Sequence, residues 1–186
     1  GIKASIYGHT QGNWDWAVKI GGSSTDRTYG LAVDSSGNAF VTGNFYGTCH
    51  FYDKTGQSSG NLSSAGSADL YVAKLKSDGS DWDWLAKIGS SGYSDGGNDI
   101  VLDNSGNYAY VTTSQGLGVI NISNPSNPQY LGIVSGTNNY ILENLDVYDN
   151  FLAVAAHEDG VLFYDISDPS EPEHIYTLNT VNAWAV

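Results

Sequence analysis

Short runs of β-branched, aromatic and aliphatic residues recur along this chain, separated by clusters of Gly, Asn, Asp and Ser. Ala39-Phe-Val-Thr42, Tyr108-Ala-Tyr-Val-Thr112 and Phe151-Leu-Ala-Val-Ala155 are examples. In Trp14-Asp-Trp16 and Trp82-Asp-Trp84 large apolar and polar residues alternate. That period of two puts both indoles of each pair on one face of a strand and the Asp on the other. No stretch of ten or more residues keeps an apolar period of 3.6. The pattern predicts many short strands, tight turns and no long helix.

The strand pattern itself repeats. Trp14-Asp-Trp-Ala-Val-Lys-Ile-Gly21 returns 68 residues later as Trp82-Asp-Trp-Leu-Ala-Lys-Ile-Gly89. Leu31-Ala-Val-Asp-Ser-Ser-Gly-Asn-Ala-Phe-Val-Thr42 returns over Ile100 to Thr112, with Asp34 matching Asp103. A shorter period follows, in which Gly118 to Pro128 returns as Val161 to Pro172 and Pro125 matches Pro169 at an offset of 44. Asp-Ser-Ser-Gly-Asn and Asp-Asn-Ser-Gly-Asn combine side chains that bond turn amides with a Gly that accepts positive φ. Each therefore predicts a hairpin between two inner strands. The prolines of Asn124-Pro-Ser-Asn-Pro128 and Asp168-Pro-Ser-Glu-Pro172 remove ladder donors, which places both segments in loops before an outer strand.

A unit of about 44 residues with four short strands is the size of one β-propeller blade. The chain reads as all-β: a single propeller segment over 1–186 with three four-stranded antiparallel blades, at about 29–76, 98–134 and 142–178. Blade one takes strands at about 29–34, 38–43, 47–52 and 69–76, with Gly56 to Ser67 as a long Ser/Gly-rich loop. An outer strand at 2–7 and an inner strand at 182–186 are assigned to flanking blades. Three blades are too few to close a ring. Either the segment is an excerpt of a longer propeller, or its flanking strands complete blades in neighbouring copies and build a polymer.

Charge narrows the partners. Against 20 Asp and Glu stand 7 Lys and Arg, a net charge of −13. Acidity of that size repels phosphate backbones and anionic headgroups, so neither nucleic acid nor membrane is an expected partner. There is no apolar run of about 18 residues, hence no membrane insertion is expected. Cys49 is alone, which excludes an intrachain disulfide and a Cys-based zinc cage and favours a small buried core residue.

The first part of the chain resembles the propeller repeat of secreted bacterial proteins called the seven-bladed β-propeller repeat. The resemblance is carried by Trp16 with Ile20-Gly-Gly22, by Gly30 to Gly43 and by Ala68-Asp-Leu-Tyr-Val-Ala-Lys-Leu75. The later part resembles LVIVD-type surface repeats, through Gly106-Asn-Tyr-Ala-Tyr-Val111 and Val119 to Pro128. Both resemblances imply a secreted or cell-surface bacterial propeller, and their signature residues build turns and cores rather than sites. Blade two joins a front half of the first type to a back half of the second, and blade three lacks Gly at its Asp149-Asn150 hairpin.

Candidate chemistry is sparse. No nucleophile, zinc or phosphate motif is present, and His9, His50, His157 and His174 lie in different units without ligand spacing. The densest polar trio, His157-Glu158-Asp159, falls in a blade-three loop. Calcium is a weak fit, through Asp78, Asp81 and Asp83 in one loop and Asp95 and Asp99 in Ser94 to Asp99; neither follows the EF-hand spacing. No other cofactor is expected. The paired tryptophans, with Trp184, suit packing between blades better than sugar stacking. Asn61-Leu-Ser63 and Asn121-Ile-Ser123 match the glycosylation triplet, Asn61 in the Ser/Gly-rich loop and Asn121 at a strand end.

The expected function is a non-enzymatic extracellular structural or adhesive surface protein, a filament or sheet subunit that self-associates through unpaired terminal strands. The alternative is a glycan- or protein-binding propeller module of a larger secreted protein. An enzyme built from scattered blade loops has no motif in its favour.

Overall fold

The computed structural model describes residues 4–10, 13–88, 95–124 and 127–186, with side chains described from Trp16 onward. Its fold is all-β and of the propeller class, made of four-stranded antiparallel sheets. Two compact units divide the chain, Gly1–Tyr29 with Val33–Gly96, and Gly30–Ala32 with Gly97–Val186.

In the first unit two sheets are interleaved along the sequence. One runs in the order β1 (Ala4–Thr10), β2 (Asn13–Gly22), β5 (Thr48–Tyr52), β6 (Ser58–Ser63). The other runs β3 (Asp26–Val33), β4 (Ala39–Phe45), β7 (Asp69–Leu75), β8 (Trp82–Ile88). This corrects the expected blade one. The strand near 47–52 does not pair with β4; it pairs with β2, and β7 takes the place beside β4. The Ser/Gly-rich stretch is not a plain loop, because β6 lies within it. Segment 2–7 is no lone flanking strand either. Its residues 2 and 3 lie outside the described residues, and the rest belong to β1, which pairs with β2 along its length.

The physical reason lies at Gly22. A Cβ there would stand 2.0 Å from the carbonyl oxygen of Thr48, so only glycine lets β5 approach. Once docked, Phe51 lies opposite Ile20 and Cys49 opposite Gly22. These residues join Val18, Phe45, Tyr71 and Trp82 in one core. Phe51 meets Tyr71 and Trp82 edge-on at 5.4 and 5.2 Å, and the Trp82 indole N–H donates to the Tyr52 carbonyl at 3.1 Å. The tryptophan repeat reappears in the pairing. Trp14 and Trp16 oppose His9 and Gly8, Trp82 and Trp84 oppose Leu75 and Lys74, and each hairpin shifts register there.

In the second unit each sheet follows chain order. The third sheet is β9 (Gly97–Leu102), β10 (Tyr108–Thr113), β11 (Gly116–Asn121) and β12 (Gln129–Ile133). The fourth is β13 (Leu145–Tyr148), β14 (Phe151–Ala155), β15 (Val161–Asp165) and β16 (Glu173–Leu178). A 3-10 turn at Thr137–Asn139 lies on the connection between them. They pack face to face through Tyr110, Leu117 and Val119 on one side and Leu145, Leu152 and Leu162 on the other. The hairpin that lacks Gly is made by Asp149 itself, which takes φ 54°.

The expected inner strand at 182–186 is not formed. Only Ala183 pairs, in an isolated antiparallel bridge with His157. The count from the preceding strands explains this. The Val134 amide donates to the Leu117 carbonyl, and Leu178 pairs with Val161 at the equivalent place 44 residues on. Residues 182–186 therefore match 138–142, the connection ahead of β13, rather than β13 itself.

Candidate functional site

The turn aspartates bond the chain's own amides, as their spacing predicts. Asp34 accepts from the N–H groups of Ser36 and Asn38, both at 2.9 Å, and from the Asn38 side chain at 2.8 Å. Burial pushes its carboxyl up, but these bonds and Lys74 outweigh it and hold the group below its ordinary value. Asp103 holds the equivalent turn through the N–H groups of Asn107 and Tyr108, at 2.8 and 2.7 Å.

The calcium candidates are dispersed in the same way. Asp78 accepts from Ser80 N–H at 2.9 Å. Asp81 and Asp83 share Lys76 at 3.6 and 3.8 Å, and Asp83 also meets Lys74 at 3.7 Å. Asp95 is buried, and its N–H donates to the Ala68 carbonyl at 2.8 Å. Ser94 lies outside the described residues. Asp99 bonds the Asn144 side chain and accepts from Leu145 N–H at 3.3 Å, tying β9 to the start of β13. Burial raises its carboxyl above the ordinary value. Among the described residues no three His, Cys, Asp or Glu side chains are grouped to hold a metal ion.

Asn61 is exposed on β6, the edge strand of the first sheet, opposite His50. The Asn121 side-chain oxygen Oδ1 accepts from Ser123 N–H and the Ser123 hydroxyl at 3.0 and 2.6 Å, so its side-chain amide is tied into a turn. Trp82 and Trp84 are buried, Trp16 is half-buried, and the Trp14 and His9 side chains lie outside the described ones. Trp184 is 60% exposed and stands edge-on to His157 at 4.3 Å. His157 takes φ 47° in a turn that leaves Glu158 and Asp159 exposed. His50 lies beside Tyr52, and His174 bonds Thr177 Oγ1 at 2.9 Å.

Two surfaces stand out in the second unit, and both escaped the sequence reading. The first is the face of the fourth sheet turned away from the third. Phe151, Ala153, Val161 and Phe163 there are the repeat counterparts of Tyr108, Tyr110, Leu117 and Val119, the face that the fourth sheet covers. Among the described residues, the buried residue that packs on the counterparts from outside the sheet is Ala183. Phe151 is 49% and Tyr176 57% exposed, with Leu178 beside them.

The second surface is a cleft of about 260 Å³ between β12 and the 168–172 loop. Val119, Leu131 and Ile133 line one side, and Ser170, Glu171 and Pro172 the other. Charge sets this unit apart. All seven Lys and Arg precede Ile88, whereas residues 97–186 hold eleven Asp and Glu and no Lys or Arg. That partition was countable in the sequence; the cleft was not.

Known proteins agree with this architecture. The chain carries two LVIVD repeats, over residues 98–135 and 142–180, and a beta-propeller (SBBP) repeat over 15–44. No curated protein matches it. Among solved structures it is similar to a periplasmic gluconolactonase, PpgL, from Pseudomonas aeruginosa, at 10% identity and a TM-score of 0.50, over 96% of this chain and 67% of that one. A functionally unknown protein from Desulfotomaculum acetoxidans matches at 14% and 0.48, over 89% and 63%. BamB from Moraxella catarrhalis matches at 12% and 0.43, over 95% and 60%. At 10% identity the likeness to PpgL is one of fold alone, and the chain spans between 60% and 67% of these structures.

Proposed function

We propose that this chain of LVIVD and SBBP propeller repeats is a non-enzymatic, extracellular structural or adhesive protein that joins copies of itself through an open sheet face. The observation that carries the reading is the outer face of the fourth sheet. Its counterpart on the third sheet is buried by a neighbouring sheet, while Phe151, Tyr176 and Leu178 stay in solvent. These side chains are about half exposed, so covering each contributes about 1 kcal/mol, and a face of several favours association. The proposed contact is between sheet faces rather than by strand exchange, since β1 pairs with β2 and Ala183 with His157. The secreted location rests on the repeat resemblance.

Electron microscopy and sedimentation of the purified, never-unfolded chain test the reading. Ordered fibres, sheets or defined oligomers are expected. A single monomeric species at tens of micromolar would remove the self-joining role.

A further inference from the structure

We infer that the cleft beside β12 is a docking groove for an extended basic segment of a partner protein, one that carries an aliphatic or aromatic side chain between Lys or Arg residues. The groove is built by the backbone. Val119 pairs with Gly132 and Ile120 with Tyr130, so Leu131 is the extra residue of a bulge, and it lines the cleft. Gly132 takes φ 120°, and a Cβ built on it meets nothing within 4 Å, so the sheet edge is dented at this point. The opposite wall is held in place. Tyr110 Oη donates to the Pro169 carbonyl at 3.0 Å, and Asp168 accepts from Ser170 N–H and Oγ at 3.0 and 2.6 Å. The opening admits one large apolar side chain, and β12 is the outermost strand of its sheet, where an extended partner can lie alongside.

Charge complementarity selects the flanking residues. The wall loop carries Asp168 and Glu171, the strands it joins end in Asp165 and begin with Glu173, and residues 97–186 contain no Lys or Arg to offset them. Hydrogen bonds from Ser167 and Ser170 hold Asp165 and Asp168 below the ordinary carboxylate range, so both stay ionised near neutrality. Such a field speeds the approach of cations and repels anionic segments.

Fluorescence anisotropy of the full chain with labelled synthetic peptides tests the inference. A Lys-Lys-Phe-Lys-Lys peptide is expected to bind, with affinity falling as salt rises. The Ser-centred analogue should bind about tenfold more weakly, the equivalent of about 1.4 kcal/mol. Glu-Glu-Phe-Glu-Glu should not bind. Ser135→Trp, which fills the cleft, and Leu131→Asn, which removes its apolar wall, should each weaken the first peptide. Glu158→Lys, in the distant His157 turn, should change it little; an unchanged near-ultraviolet spectrum confirms that each variant is folded. Equal binding of the Phe and Ser peptides, or equal loss in Ser135→Trp and Glu158→Lys, would reduce the effect to unspecific polyanion attraction and overturn the groove. So would no binding by any peptide.

Discussion

The phenol of Tyr110, on the second strand of the third sheet, donates to the carbonyl oxygen of Pro169 at 3.0 Å, 59 positions along the chain. One buried side chain thus ties its own sheet to the loop that leads into the outer strand of the next. Burial pushes this phenol well above its usual range, so it keeps its proton and remains a donor wherever the protein is folded. Tyr110→Phe keeps the ring and deletes the bond, leaving the Pro169 carbonyl without this donor. A loss of about 0.5–1.5 kcal/mol is expected in urea unfolding. Tyr110→Ala also removes the buried ring and should cost about 3–5 kcal/mol. If Tyr110→Phe is neutral while Tyr110→Ala is severe, the ring alone fixes the loop.

Asp34 gives a pH dependence with a defined sign. Its folded-state value lies below its unfolded one, the net result of burial opposed by stronger bonds from Asn38 and Ser36 and by Lys74. Its stabilising contribution is therefore present above the unfolded value of about 4 and is lost as pH falls through the folded one. Melting temperatures at pH 7 and pH 3 should show a smaller acid-induced drop for Asp34→Asn than for the unchanged chain. An identical drop would mean that other carboxylates govern acid unfolding.

Much of this fold was legible because the repeats encode turns. Asp34 and Asp103 announce the hairpins they hold, and the Trp-Asp-Trp pairs mark core positions such as Trp82. The crossing of β5 to β2 was not legible. Local pattern gives strands but not partners, and the deciding feature is Gly22, whose missing Cβ matters only against Thr48 in space. The calcium assignment of Asp95 overlooked a signal that was present. Asp95 follows Asp26 by 69 residues, the offset that relates Asp103 to Asp34, and Asp26 is a buried residue whose carboxylate accepts from Gly22 N–H at 2.7 Å. The cleft depends on a bulge at Leu131, and periodicity does not reveal where a ladder slips.

Cys49 reports on the first unit. It is buried on β5, and burial, with a smaller push from Asp26, moves its thiol up to about 12. A thiol so placed is neither accessible nor ionised at neutral pH. Labelling with a maleimide at pH 7.5 should be slow in the native chain and complete once denaturant unfolds it. Labelling at the rate of a free thiol would show that β5 does not seat against β2 as described.

The open face of the fourth sheet predicts which residues govern association. Phe151 and Tyr176 are about half exposed on that face. Replacing both, as Phe151→Asp with Tyr176→Asp, places like charges in a unit that already lacks Lys and Arg. Self-association should weaken by about tenfold or more, because the two half-exposed side chains together contribute about 1.4 kcal/mol or more. Thermal stability should change little, since neither side chain is part of a buried core cluster. A control change on the outer strand of the third sheet, Tyr130→Asp, alters an aromatic that is 42% exposed on another sheet and should leave association unchanged. Sedimentation across a concentration series separates the cases. Loss of assembly only in the Phe151 and Tyr176 variant assigns the contact to this face. Equal loss in both variants would point instead to unspecific adhesion by exposed aromatics, and no loss in either would rule this face out as the joining surface.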